Sequence, residues 1–312
     1  MSRSRKYRGW RPPRRREPGR TNPTVYHLDT FTIEDVRRWK RGQEEFVRVY
    51  WNYYNELAYQ RSKKMPEIKA ALLEASVEPY DFSEYQRAVR YRWTLDPLSV
   101  KGSLSDIGGR FNIGDIDRTK YPLFPALYIA RDRATAIQEL QQVNPEGAEG
   151  LSAEELALTE TASITVVSVY GSIEPLIDLY QPERLNRFMD VIKGFKLSDG
   201  LIRDAKALGL EVGVSNDLSL LMRTLLDGEW RRFPMHVDVP SNSQIFGQLS
   251  VEAGVAGILY PSKYGEKECL SIYPQNFRNT DSFVQIADKA PVGIKRKRLD
   301  ANSVKEIMGY CE

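Results

Sequence analysis

Beyond Arg90 the chain alternates short runs rich in β-branched and aromatic residues with runs of helical period, and that alternation narrows the fold more than any other feature. Ala126–Ala130 (ALYIA), Ile164–Tyr170 (ITVVSVY), Gly257–Tyr260 (GILY), Leu270–Tyr273 and Phe283–Ala287 read as strands. Arg133–Leu140 and Leu218–Leu226 read as helices, with Asp132 and Asp217 placed to accept hydrogen bonds from the first unpaired amides. The polar connections around Asn144–Glu154 and Arg231–Asn242 read as loops. Strands and helices mixed in this way predict a mixed α/β region.

The stretch before Arg90 has a different period. Val36, Trp39, Phe46, Tyr50, Tyr53 and Leu57 recur at spacings of three and four behind a capping Thr32, the stripe of a long helix that must pack on something. A second helix, Glu67–Ala75, follows Pro66. The expected organisation is a basic tail over 1–24, a helical module over 25–89, a mixed α/β domain over 90–290 and a basic C-terminal segment over 291–312.

Charge is unevenly spread. The net charge of +3 conceals a tail, Met1–Arg20, with nine Lys/Arg and one acid, against a slightly acidic remainder. Arg, Pro and Gly dominate there with almost no aliphatic residue, so nothing offsets the entropy of ordering. The tail is expected to be disordered when free; it is a solvated terminus or a contact for nucleic acid or an acidic protein, with Tyr7 and Trp10 as stacking groups. Lys295–Arg298 carries the same alternatives.

Counting residues removes several chemistries. Cys269 and Cys311 are the only cysteines and His27 and His236 the only histidines, too few for a disulfide framework or a zinc site. No run approaches the roughly 20 apolar residues of a bilayer span, and the charged N-terminus lacks an apolar h-region. A soluble, cytoplasmic protein in a reducing compartment with no metal is expected. The glycine-rich stretch Gly102–Arg110 lacks the Lys-Ser/Thr ending of a phosphate loop, and there is no Gly-x-Ser-x-Gly elbow.

What remains is a constellation. Tyr91-Arg92 and Gly102 precede Gly108-Gly109-Arg110-Phe111-Asn112 with Gly114; then come Ala126-Leu127-Tyr128-Ile129-Ala130 and Glu139 in the helix behind. Ser243-Gln244 with Gly247 and Gly257-Ile258-Leu259-Tyr260-Pro261-Ser262 follow far downstream. Over roughly Tyr91–Pro274 this resembles the RES domain family, toxins of bacterial toxin–antitoxin pairs. Phe111 stands where the family frequently has Trp, and Glu268-Cys269-Leu270 where it often has an Asn-bearing strand. The resemblance implies the α+β class, with an ADP-ribosyltransferase-like split β core flanked by helices and preceded by the helical module, and NAD bound as substrate. It also implies cleavage of the nicotinamide–ribose bond, with water or phosphate accepting ADP-ribose, and a helix-turn-helix antitoxin as partner. Transfer of ADP-ribose to a protein or nucleic acid is the alternative activity, and nucleotide or nucleic-acid binding without turnover the non-enzymatic one.

The residues carried over suit that chemistry. Arg92 and Arg110 offer guanidinium forks for the NAD diphosphate, with Arg90 competing for the first role. Gly109 lets the backbone bring Arg110 close, and Gly109 and Asn112 are expected to contact the bound NAD. Tyr128 would stack on nicotinamide, and Ser262 would position the ribose. Nicotinamide leaves neutral while positive charge grows on the ribose, so a fixed carboxylate, Glu139, would stabilise the transition state more than the ground state.

Overall fold

The structure is a computed structural model that describes residues 33–77, 79–141, 163–210, 212–265 and 267–311, with side chains from residue 41 onward. The basic tail over 1–24, the Thr32 cap and the Asn144–Glu154 connection lie outside these residues. The helices are α1 (Ile33–Lys63), α2 (Met65–Glu74), α3 (Arg133–Gln141), α4 (Asn186–Ile192), α5 (Asp199–Ala207), α6 (Leu218–Leu225), α7 (Arg232–His236), α8 (Asn242–Ala253) and α9 (Val304–Met308). The strands are β1 (Tyr80–Arg90), β2 (Gly108–Gly109), β3 (Asn112–Ile113), β4 (Leu127–Ala130), β5 (Ile164–Ile173), β6 (Leu176–Asp178), β7 (Gly257–Pro261), β8 (Glu268–Ile272), β9 (Phe283–Ile286) and β10 (Arg298–Leu299). The α+β class expected from the sequence is the one found. No helix among the described residues is long and apolar enough to cross a membrane.

The chain divides into two compact units, residues 1–63 with 194–214, and residues 64–193 with 215–312. In the first, the apolar stripe of α1 finds its partner in α5: Val49 clusters with Leu201, Ala205 and Leu208, and Phe46 and Tyr53 pack against them. Glu56 receives both the amide (2.8 Å) and the hydroxyl (2.6 Å) of Ser198, the residue that caps α5.

The second unit is built on an eight-stranded sheet in the order β10-β9-β5-β1-β4-β8-β7-β6, with β2 and β3 forming a separate two-stranded ribbon. Neighbours in the large sheet run antiparallel except β6 and β7. Its central strand, β1, falls within the span 25–89 read as helical. Its alternation is hidden because charged Asp81, Glu84 and Arg87 punctuate it and its pairing with β5 shifts register between Phe82 and Tyr85, breaking the period of two. Leu127, Ile129, Leu259, Leu270 and Ile272 enter the core with Tyr85, Val169 and Phe277. The C-terminal segment contributes Leu299, Val304 and Ile307 to that core, and Arg298 lies on an edge strand.

Helix α8 links the core to the ribbon. Ser241 and Gln244 form a reciprocal capping box at its start, and Gly254, with φ of 92°, ends it. An added Cβ on Gly247 would run into the Phe111 carbonyl oxygen, so only glycine lets the helix close on the ribbon. Gly247→Ala is expected to destabilise the protein by about 1–3 kcal/mol through overpacking. A lower urea midpoint with unchanged slope checks this, and an unshifted midpoint counts against the packing.

Candidate functional site

Because strand side chains alternate, the residues that do not enter the core must share the opposite face. Tyr128 pairs with Ser271, Ala130 with Cys269, and Cys269 with Tyr260, so these residues lie together across β4, β8 and β7. Tyr128, Ala130, Tyr260 and Cys269 form the floor of a cleft that also takes in Gly108–Arg110, Glu139, Arg231 and Lys263.

The β2–β3 hairpin supplies one wall, with Arg110 and Phe111 at its two-residue tip. Gly108 holds a φ of +82°, and a Cβ on Gly109 would collide with the Tyr128 ring, so the pair of glycines lets the hairpin turn and lie flat on the tyrosine. Two buried amides brace it from behind. Asn112, fully buried, accepts at Oδ1 from the Gly109 amide (2.8 Å) and the Tyr128 hydroxyl (2.9 Å), and donates from Nδ2 to the carbonyls of Ser103 (2.8 Å) and Phe124 (3.0 Å). Gln244 Nε2 donates to the carbonyls of Ile107 (2.6 Å) and Asn112 (3.0 Å), with a longer contact to Gly109 (3.2 Å). The tip is pinned too: the Phe111 amide donates to the Tyr128 hydroxyl (3.0 Å), its carbonyl accepts from Tyr273 (2.9 Å), and its ring meets Tyr260 edge-on at 4.9 Å.

On this rigid support Arg110 is only 5% exposed, yet among the described residues its guanidinium has neither a hydrogen bond nor an ion pair. Its donors therefore open into the cleft, where the oxygens of an anionic ligand would pair with them. Arg231, stacked 4.4 Å from the centroid of Trp230, and Lys263 add positive charge. Burial lowers the pKa of both, and in Lys263 the Arg110 charge adds to the effect.

Glu139 supplies the negative charge. Helix α3, which carries it, is capped by Asp132, whose carboxylate accepts from the Thr135 amide (3.0 Å) and hydroxyl (2.9 Å). Glu139 Oε1 accepts a 2.6 Å hydrogen bond from the hydroxyl of buried Ser262, which in turn accepts from the Tyr264 amide at 3.2 Å. Burial and the Glu139 charge push the Cys269 thiol well up, which keeps it protonated and unreactive as a nucleophile. Burial likewise raises Tyr128 to about 12, and burial followed by the Glu139 charge raises Tyr264 to about 12.

The residues named from the sequence therefore converge, in different layers. Arg110, Gly109, Tyr128 and Glu139 line the cleft, and Ser262 reaches it through Glu139. Arg90 and Arg92 both stand exposed on the rim, Arg92 over Trp93 at 5.5 Å. Asn112 does not face the cleft: its polar atoms are all satisfied inside the protein, and it fixes the wall. Tyr128 spends its hydroxyl on that same wall, leaving its ring to the cleft.

Sequence reasoning missed Arg87, Trp230, Arg231, Lys263 and Tyr264. Arg87 donates to the carbonyls of Tyr128 (2.7 Å), Pro97 and Ser99 (both 3.3 Å), and burial lowers its pKa to about 10. Trp230 and Arg231 border the stretch read as a loop, part of which is α7. A Trp-Arg pair beside polar neighbours was the available signal, but it has no period or spacing to set it apart.

The RES domain family model matches residues 84–293, about two thirds of the chain, and that span contains all the cleft residues named above. A solved structure, the M. tuberculosis MbcT–MbcA toxin–antitoxin complex, aligns over 78% of this chain and 97% of its own, with 18% identity and a TM-score of 0.38. No curated protein matches.

Proposed function

The chain belongs to the RES domain family, and from that premise we propose that it is an NAD-consuming toxin that breaks the bond between nicotinamide and ribose. The observation that carries this reading is the buried, unpaired Arg110 guanidinium in the same cleft as the Glu139–Ser262 pair. A ligand that suits both is anionic in one part and presents hydrogen-bond donors or positive charge in another. NAD meets that requirement: its diphosphate is anionic, and its ribose gains positive charge as nicotinamide departs.

In this reading the C1′–N1 bond breaks with its electron pair going to nicotinamide, which leaves neutral and needs no proton. Glu139 stabilises the cationic ribose, and the Ser262 hydrogen bond holds the carboxylate in place. Arg110, with Arg92 or Arg90 at the rim, holds the diphosphate, and the Tyr128 ring lies against the nicotinamide. Asn112 and Gly109 act by shaping the hairpin that presents Arg110. Water or phosphate then bonds to C1′, losing a proton to solvent. A helix-turn-helix antitoxin that covers the cleft is the proposed partner and the cytoplasm the proposed compartment. The domain reading places catalysis within 90–290, served by β1 from the preceding span.

Purified protein mixed with NAD is expected to release nicotinamide, with ADP-ribose as coproduct in plain buffer and its phosphorylated form when phosphate is the acceptor. Chromatography of the mixture with and without phosphate reads both. Nicotinamide at the level of the enzyme-free control would end this reading.

A further inference from the structure

Trp230 and Arg231 belong to no motif and lie far in sequence from the hairpin, yet they line the same cleft. Trp230 is 4% exposed and so a fixed platform, and the Arg231 guanidinium lies over it at 4.4 Å from the ring centroid. Stacking engages the face of a guanidinium and leaves its edge N–H groups uncommitted. Among the described residues those donors have no hydrogen-bond or ion-pair partner. Arg231 is near enough to Glu139 and Arg110 for both charges to act on it. The cleft thus holds two uncommitted guanidinium forks from separate chain segments, with Lys263 near them and Glu139 and Asp106 as carboxylates in the same lining.

We propose that Arg231 is a specificity-determining residue that grips the second phosphate of a diphosphate ligand, so that the cleft selects a nucleoside diphosphate ester over a nucleoside monophosphate. The inference rests on the reading of the cleft as an NAD site and adds to it the group that recognises ligand length. A diphosphate diester presents two anionic phosphates in tandem, one for each fork, whereas a monophosphate occupies one fork and leaves the other unpaired. The Trp230 stack orders the Arg231 fork before the ligand arrives, which reduces the entropy lost on binding.

Isothermal titration calorimetry of the full chain with ADP-ribose and with AMP tests this. The unaltered protein is expected to bind ADP-ribose at least about tenfold more tightly than AMP. Arg231→Gln should lose about tenfold or more on ADP-ribose and less than about threefold on AMP, as expected for one charge-assisted contact. Arg231→Lys should fall between, since an ammonium restores the charge but not the flat face that stacks on Trp230. Thermal melting confirms that both variants fold. Equal losses on both ligands, or no loss on either, would overturn the proposal. Nicotinamide release by the unaltered protein is read separately. Its absence would reject NAD turnover while the two-ligand comparison still decides the role of Arg231.

Discussion

Glu139→Gln is expected to lower nicotinamide release on the order of 10²–10³-fold, the equivalent of about 2.7–4 kcal/mol of transition-state stabilisation. The substitution keeps shape and volume, and a glutamine carbonyl can still accept the hydrogen bond that Ser262 donates at 2.6 Å. Only the charge is lost. Because the ribose gains its positive charge as the bond breaks, the effect belongs to kcat and not to the affinity for NAD. Measuring kcat and KM separately, alongside the melting temperature, checks the prediction. Unchanged turnover in a folded variant would remove Glu139 from the chemistry, and a change confined to KM would reassign it to ground-state binding.

Asn112→Ala should be the most damaging single change to the support of the site. Asn112 is fully buried and makes four hydrogen bonds, to the Gly109 amide, the Tyr128 hydroxyl and the carbonyls of Ser103 and Phe124. Truncation strands the Gly109 amide and the two carbonyls, leaves the Tyr128 hydroxyl only its bond from the Phe111 amide, and opens a cavity. Each unsatisfied group costs about 1–3 kcal/mol, and because neighbours relax together the sum is not additive, so a total of about 3–5 kcal/mol is expected. That corresponds to a fall of roughly 6–20 °C in melting temperature for a domain of this size. The same variant should weaken ADP-ribose binding, since Arg110 sits at the tip of the hairpin that Asn112 holds. Calorimetric melting and the binding titration read the two effects, and a loss below about 1 kcal/mol would show that Gln244 and Tyr273 suffice to brace the hairpin.

Several elements were legible from local pattern. Strands β4, β7, β8 and β9 and helices α3 and α6 lie within a few residues of the spans read from the sequence, because their alternation or capping residues are local signals. The stripe on α1 was readable as a packing face, though its partner α5 comes from residues far downstream. Strand β1 was not readable, because charged residues and a register shift hide its period. The grouping of Arg110, Tyr128, Glu139 and Ser262 was readable through the family motif, without the roles of the residues around them.

The order of residues in this chain was enough to specify its class, the periods of most of its elements and the chemical types gathered for the site. Only the tertiary structure decided which side chains face the cleft and which stand behind it. It set Asn112 behind the hairpin as a brace, tied Glu139 to Ser262 across 123 positions, and gathered Arg231 into the same cleft as Arg110. The reason is physical. Periodicity and capping act over a few residues, whereas a buried amide or guanidinium is satisfied, or left unsatisfied, by partners that become neighbours only when distant strands pair.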